Sequence, residues 1–239
     1  MTVRDPGPPS EMFFAGDHQL EGVFEEAESG QSWGGVVVAH PHPLYGGTMA
    51  QPVVHRVAKN CREKGLATLR FNFPGVGRSG GRYTGKDEHL DVEAALVHLQ
   101  DRLGSRLQRS RGDESSTPFP TPTSLPVGLV GYSFGSVMAA AACCGRVPVR
   151  ALALIAFPVQ WEEDLLSPLK VLGGYRGPVL AVCGENDDIS PPAAVKGLLT
   201  DAGLDLTVEA IPGAGHLFEQ SRARVSRAVA EFMARELSL

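Results

Sequence analysis

The chain alternates short aliphatic runs with longer segments in which apolar residues have helical spacing. GGVVVAH at residues 34–40 and PVLAVCG at 178–184 are continuous aliphatic runs, typical of strands buried on both faces of a sheet. In KDEHLDVEAALVHLQDRL at 86–103, apolar residues recur every three or four positions, as they do on one face of a helix. Because parallel strands are joined by helical crossovers, this alternation predicts a mostly parallel sheet flanked by helices.

The same alternation continues to the end of the chain. An antiparallel hairpin precedes it, because two short apolar runs flank Gly16-Asp17, which is a turn signal. In total the pattern predicts an α/β fold with about eight strands. Besides the two strands above, we predict strands at MFFA (12–15), QLEGVFEE (19–26), LATLRFNF (66–73), VGLVGY (127–132), VRALALIAF (149–157) and LTVEAI (206–211).

The length of 239 residues fits a single α/β domain over residues 1–239. One segment departs from the alternation: residues 105–126, SRLQRSRGDESSTPFPTPTSLP, are rich in serine, threonine and proline. This composition predicts a flexible insertion. The insertion runs from a helix into a strand, whereas ligands in open α/β sheets bind at the carboxyl ends of strands, so we expect no catalytic role for it.

The charge of the chain is mildly acidic, with 22 basic and 27 acidic side chains. This balance gives no general attraction to nucleic acid or to an anionic membrane, and it favours a small-molecule partner. We find no apolar stretch of about 18 residues and no secretion signal, so a cytoplasmic location is expected. The four cysteines lack C-x-x-C spacing and are predicted to be reduced thiols.

The motif G-x-S-x-G occurs three times, around Ser32, Ser79 and Ser133. It has a mechanical meaning only where a strand turns sharply into a helix, because that turn exposes the serine hydroxyl. Ser32 precedes a strand, and Ser79 leads into GGRYTG, which cannot start a helix. Ser133 ends the strand VGLVGY and opens FGSVMAAAACC, so it is the predicted nucleophile; the alternative is a helix-capping serine.

A serine nucleophile needs a histidine base that is held in turn by a carboxylate. His216 meets this requirement, because it lies in PGAGHLF directly after a predicted strand. His55 and His98 fall within helical patterns, and His89 opens a helix. His18 falls in the hairpin turn, where we expect a solvated surface residue.

The acid should come from ENDDISPP, which follows the strand PVLAVCG. Asp187 and Asp188 are adjacent there, with Glu185 close by, and spacing alone leaves the choice between them open. Ser190 stands before two prolines and is expected to cap the next helix, which would free the aspartates for other roles.

Two histidines one residue apart, His40 and His42, could begin a metal ligand set. A zinc site needs further ligands, however, and the last histidine of the chain is already required by Ser133. The stretch is therefore interpreted as a turn, with no metal.

Residues 75–80 match G-x-G-x-x-G, but the required helix does not follow, so we expect no dinucleotide cofactor. We assign this loop to the wall of the active-site mouth.

Five motifs, HPHPLYGGTM, LRFNFPGVGRSGG, GYSFGS, GENDD and GAGHLF, resemble in order and spacing the α/β-hydrolase superfamily. More narrowly, they resemble its small bacterial serine hydrolases related to dienelactone hydrolase, over nearly the whole chain. The resemblance implies an α/β-hydrolase fold. It also implies that the triad acid is the fourth residue of the turn G-x-x-D, which selects Asp187, with Asp188 as the alternative. Dienelactone hydrolases proper use a cysteine nucleophile, so their lactone specificity does not transfer to Ser133.

The superfamily pattern supplies one oxyanion donor from the residue after the nucleophile, Phe134, at a helix amino end. The second donor comes from the loop after the first parallel strand. Pro41 and Pro43 have no N–H, which leaves His42, or else Leu44 and Tyr45. By resemblance to the usual His-Gly-x loop, we expect the donor to be His42.

These residues predict a serine hydrolase, similar to a carboxylesterase, that cleaves small soluble esters through an acyl-enzyme and needs no cofactor. The short connection that contains WEEDLLSPLKVL leaves no room for a large lid, which favours compact esters. Thioesterase, lactonase or small-amide hydrolase activity would use the same triad. A non-catalytic protein that keeps the fold and a metal hydrolase are the alternatives from other classes.

Overall fold

The structure is a computed structural model that describes residues 9–110, 125–159 and 170–238. Within these ranges, eight strands form one sheet in the order β1-β2-β4-β3-β5-β6-β7-β8. The strands β1 and β2 form the predicted hairpin, and β2 pairs antiparallel with β4; all other pairs are parallel. The strands are β1 (Glu11–Ala15), β2 (His18–Glu25), β3 (Gly34–Ala39), β4 (Leu66–Phe71), β5 (Val127–Tyr132), β6 (Val149–Ile155), β7 (Pro178–Gly184) and β8 (Asp205–Ile211).

Helices cover both faces of this sheet, as the two buried apolar clusters show. Alternate strand residues point to opposite faces, so Val37 joins the cluster that contains α2, α3 and α4, whereas Val36 joins the cluster that contains α1 and α5. This arrangement confirms the predicted α/β class with a mostly parallel sheet. The helices are α1 (Pro52–Glu63), α2 (Glu88–Ser110), α3 (Phe134–Ala142), α4 (Pro192–Asp201) and α5 (Arg222–Leu237), and a short 3₁₀ helix covers Pro43–Tyr45.

The helix α2 is longer than predicted and continues through Ser110. Residues 105–110 of the predicted insertion are therefore helical, and no proline lies between residues 75 and 117 to interrupt the helix. Residues 111–124 of that segment lie outside the described residues.

No large lid lies between β6 and β7, where only residues 156–177 intervene. Most of the predicted WEEDLLSPLKVL helix lies outside the described residues, and residues 170–172 are helical. In the ranges that the structure covers, we find no helix long and apolar enough to cross a membrane. All four cysteines are free thiols; Cys61, Cys143 and Cys183 are buried, and Cys144 is exposed.

Candidate active site

Ser133 lies where β5 turns into α3, at the carboxyl edge of the sheet. Its backbone has φ +52° and ψ −119°, a conformation that L residues rarely adopt. The Ser133 N–H donates a 2.8 Å hydrogen bond to the carbonyl of Ile155 at the end of the neighbouring strand β6. This strained turn is the context that separated Ser133 from the other two G-x-S-x-G serines.

Two glycines of the motif allow the turn to close. A Cβ atom on Gly131 would overlap the backbone of Gly135 and Ser136, and one on Gly135 would lie 2.5 Å from the carbonyl oxygen of His40. The amino end of α3 therefore packs directly on the backbone at the end of β3. Only glycine fits these contacts, which explains the small residues on both sides of Ser133.

The structure brings Ser133, His216 and Asp187 into one hydrogen-bonded line. The Ser133 Oγ lies 2.9 Å from the His216 Nε2, and the His216 Nδ1 lies 2.9 Å from the Asp187 Oδ2. The serine side chain is nearly buried, and the imidazole remains 19% exposed. A carboxylate at Nδ1 favours the tautomer with its proton on that atom, so Nε2 is available to accept the serine proton.

Asp187 has no exposed side-chain surface, and its Oδ1 accepts hydrogen bonds from the N–H groups of Ile189 and Ser190, both at 2.9 Å. These two donors and the imidazole compensate for the burial of a carboxylate. Its neighbour Asp188 is exposed. The geometry therefore selects Asp187 as the carboxylate that faces His216.

The turn that carries Asp187 packs against the turn that carries His216. A Cβ atom on Gly184 would overlap the backbone at Ala214, and Glu185 Oε2 accepts a 2.8 Å hydrogen bond from the N–H of Gly213. The hydroxyl of Tyr132, which pattern analysis did not identify, donates to the carbonyl of His216 at 2.9 Å. The backbone of the turn that carries His216 is thus held from two sides.

Ser190 was predicted to cap the next helix, and this prediction is wrong. The helix α4 begins at Pro192, after Pro191, and no side chain caps it. The Ser190 hydroxyl is instead buried without a hydrogen-bond partner in the structure. The backbone of Ser190, not its side chain, is the part that contacts Asp187.

The loop after β3 contains His42, whose carbonyl accepts hydrogen bonds from the N–H groups of Tyr45 at 3.1 Å and Gly47 at 3.0 Å. The N–H of Leu44 donates to His42 Nδ1 at 3.2 Å. A Cβ atom on Gly47 would overlap the carbonyl of Pro41, so the loop can turn this tightly only with glycine there. The two other candidate donors, Leu44 and Tyr45, are therefore engaged within the loop.

Phe134 is the first residue of α3, where backbone N–H groups have no partner within the helix. Its ring centroid lies 5.1 Å from that of His42 and 5.6 Å from that of Tyr83. The structure therefore places the two residues predicted as oxyanion donors side by side at the mouth of the site. Tyr83 was not singled out, because a tyrosine in a glycine-rich loop carries no sequence signal of its own.

Both ring nitrogens of His40 are used inside the protein. Its Nε2 accepts from the N–H of Phe73 at 3.0 Å, so its proton is on Nδ1, which donates to the carbonyl of Pro41 at 2.6 Å. Burial lowers the pKa of His40 to about 4. The nitrogens of His42 contact Leu44 and Tyr83. Among residues 9–110, 125–159 and 170–238, no cluster of three or more histidine, cysteine, aspartate or glutamate side chains could hold a metal ion.

The serines of the other two G-x-S-x-G motifs and His18 make their contacts elsewhere in the structure. Ser32 Oγ donates to Glu26, and Ser79 Oγ donates to the carbonyl of Asn72. His18 corrects the expectation of a solvated turn residue, because it opens β2 and its Nε2 lies 2.8 Å from the largely buried Asp91 on α2.

The glycine-rich loop at 75–80 leads into residues 81–87, none of which is helical. The helix that a dinucleotide site requires therefore does not follow it. This agrees with the interpretation of the G-x-G-x-x-G match as a loop.

Comparison with solved structures shows that the fold is similar to that of α/β serine hydrolases. An α–β serine hydrolase homologue from Coxiella burnetii has 26% identity and a TM-score of 0.71, with 93% of this chain and 96% of that chain covered. An α/β serine hydrolase without lid from Xanthomonas campestris has 24% identity and a TM-score of 0.75, covering 97% of this chain and 96% of that one. The fold is therefore an α/β-hydrolase fold without a large lid domain.

Comparison of the sequence with family models and with known proteins identifies the family. The model of the dienelactone hydrolase family matches residues 88–238, which is more than half of the chain. An uncharacterized protein of Rickettsia prowazekii is 27% identical over 234 residues, which cover 93% of this chain and 88% of that protein. The chain belongs to the dienelactone hydrolase family and is a hydrolase.

Proposed function

We propose that the protein is a carboxylesterase-like serine hydrolase that cleaves small soluble esters through an acyl-enzyme on Ser133. The observation that carries this proposal is the continuous hydrogen-bonded line from the Ser133 Oγ through the imidazole of His216 to Asp187, with 2.9 Å at both joints. A serine, a base and an orienting carboxylate in this geometry are the groups that a serine hydrolase triad uses for acyl transfer through an acyl-enzyme.

In the first half-reaction, His216 Nε2 accepts the Ser133 proton as the serine oxygen attacks the ester carbonyl carbon. The carbonyl electron pair moves to oxygen, and it returns to expel the alcohol, which receives the proton from His216. Water then attacks the acyl-enzyme in the same way and releases the acid. Asp187 stabilises the imidazolium in both steps, and the two backbone hydrogen bonds that its Oδ1 accepts hold the carboxylate in position.

The negative oxygen formed in each step needs backbone donors, and we assign these to the N–H groups of Phe134 and His42. Phe134 opens α3, so the helix dipole adds to its donor strength. The N–H groups of Leu44 and Tyr45 donate within their own loop, which supports His42 as the second donor. Each such donor is worth roughly 3 kcal/mol of barrier.

The substrate is proposed to be compact and uncharged. Three large apolar side chains are exposed on the two loops that flank Ser133, namely Leu44 and Tyr45 beside His42, and Leu217 beside His216. Such side chains favour contact with a neutral organic group. Within the described residues no lid domain covers this surface, which suits soluble esters more than aggregated lipid. Thioesters, lactones and small amides share the chemistry and are outcomes of the test.

The test is a panel of p-nitrophenyl esters of increasing acyl length, with thioesters and lactones beside them. We expect the highest kcat/KM on short esters. Ser133→Ala should abolish turnover, whereas Ser32→Ala, which changes a serine in the same G-x-S-x-G pattern on a distant loop, should retain it. A wild-type protein that hydrolyses no member of the panel, or a Ser133→Ala variant that remains active, would contradict the proposal.

A further inference from the structure

We propose that Tyr83 is a positioning residue for the oxyanion site and that it acts through the imidazole of His42. The inference rests on the proposed function, because it concerns the donor that this function assigns to His42. It gives the His42 side chain a role distinct from that of its backbone, and it assigns one to a tyrosine on a separate loop.

The hydrogen bonds of His42 define one tautomer. Nδ1 accepts from the N–H of Leu44 at 3.2 Å, so in the neutral ring the proton is on Nε2. That Nε2–H donates to the hydroxyl oxygen of Tyr83 at 2.9 Å. Burial lowers the pKa of His42, which favours this neutral form. The imidazole therefore connects its own loop, at Leu44, to the loop of Tyr83.

Tyr83 is a suitable anchor because the chain after it is held at the start of α2. The N–H groups of Thr84 and Gly85 both donate to the carboxylate of Glu88, which is buried in the first turn of that helix. Tyr83 thus directly precedes residues that are hydrogen-bonded to the first turn of α2. These hydrogen bonds restrict the position of the Tyr83 hydroxyl.

The rings of His42, Tyr83 and Phe134 contact one another and so connect the two residues that are proposed as oxyanion donors. The ring centroids of His42 and Tyr83 are 5.2 Å apart, those of His42 and Phe134 are 5.1 Å apart, and those of Tyr83 and Phe134 are 5.6 Å apart. One donor belongs to His42 and the other to Phe134, on different loops. Contact between their side chains fixes the distance between their backbones, and the bond to Tyr83 fixes the rotation of the imidazole within the cluster.

Tyr83→Phe tests this role, because it keeps the ring contacts and removes the acceptor of the His42 proton. An oxyanion exists in the transition state and not in the bound ester, so poorer donor alignment should reduce kcat and leave KM near the wild-type value. We expect kcat to fall about tenfold, less than the loss on removing a donor outright. Affinity for a trifluoromethyl ketone, which forms an oxyanion adduct with the serine, should fall by a similar factor.

Tyr175→Phe is the matched control, because it also removes one tyrosine hydroxyl but does so away from the site. Tyr175 precedes β7, at the edge of the sheet opposite Ser133, and its hydroxyl has no hydrogen-bond partner among the described residues. Its kcat, KM and inhibitor affinity should equal those of the wild type. In a His42→Ala background, which keeps the backbone N–H of residue 42, Tyr83→Phe should have no further effect.

Three results would overturn the inference: Tyr83→Phe with wild-type kcat and inhibitor affinity, a loss of kcat matched by a rise in KM, or full additivity with His42→Ala. The failure of the proposed function is distinguishable, since the wild-type protein would then show no turnover on any ester. That outcome contradicts both proposals, whereas an active wild type with an unchanged Tyr83→Phe contradicts only this one.

Discussion

The imidazole of His40 accepts a hydrogen bond at Nε2 from the backbone N–H of Phe73, 3.0 Å away. This bond joins the end of β3 to the end of β4, at the edge of the sheet where Ser133 lies. Because Nδ1 also donates to Pro41, the side chain is a brace between two loops. His40, which could have begun a metal site, therefore supports the backbone of the loop that contains His42.

The brace predicts a pH-dependent stability. His40 is neutral when folded, and its pKa of about 4 lies below the ordinary value near 6.5. Between these values the unfolded chain binds more protons, so the contribution to stability is complete above pH 6.5 and is lost as the pH falls toward 4. The full loss is on the order of 3 kcal/mol.

Urea unfolding of the wild type and His40→Gln between pH 7 and pH 4.5 measures this contribution. The glutamine can still accept from Phe73, but it does not titrate, so its stability should vary less with pH. Burial raises the pKa of Asp91 to about 6, which contributes the opposite slope equally in both proteins, and the difference between them isolates His40. Parallel pH profiles of the two proteins would show that His40 titrates normally.

The selection of Asp187 over Asp188 predicts that substitutions of these two residues have very different effects on turnover. Asp187→Asn keeps the shape of the side chain but favours the wrong tautomer of His216, so turnover should fall on the order of 10³- to 10⁴-fold. Asp188 is exposed, and Asp188→Asn should stay within about twofold of the wild type. Steady-state kinetics on one short ester suffices, and the reverse ranking of the two variants would refute the assignment.

The close approach of Gly135 to the end of β3 predicts a large stability cost. In Gly135→Ala the new Cβ would lie 2.5 Å from the carbonyl oxygen of His40 and 2.6 Å from that of Ala39, and neither backbone can move without shifting the strand. We expect a loss of about 3 kcal/mol together with most of the activity.

Gly197→Ala is the control, because no atom lies within 4 Å of its added Cβ and the residue is inside α4. It should stabilise the protein by about 0.5–1 kcal/mol. Thermal unfolding of both variants gives the comparison. A Gly135→Ala protein as stable as the wild type would mean that the turn is looser than the structure indicates.

Most of the fold follows from local patterns, and so do two of the three hydrogen-bonded site residues, Ser133 and His216. Buried parallel strands are long aliphatic runs, and only one G-x-S-x-G stands between such a run and a helix of small residues, so Ser133 could be selected by context. His216 followed from its place after β8. Asp187 needed the resemblance to a family, since two adjacent aspartates on a turn differ only in the directions of their side chains.

The features that sequence patterns could not provide depend on contacts between distant segments. Tyr83 meets His42 across 41 residues, and His18 meets Asp91 across 73. Neither pair has a spacing rule. Ser190 shows the opposite error: a good capping residue stood at the right place, but its backbone was used by Asp187 and the helix began later, at Pro192. At this position the contact with Asp187 outweighs the preference of serine for capping a helix.

The most direct test of the central claim is covalent labelling with a fluorophosphonate probe, which reacts with activated serines, followed by peptide mass spectrometry. The wild type should carry one label, on the peptide that contains Ser133. Ser32→Ala should be labelled to the same extent, and Ser133→Ala should remain unlabelled. A wild-type protein that takes up no label, or a Ser133→Ala variant labelled as fully as the wild type, would contradict the assignment of Ser133 as the nucleophile.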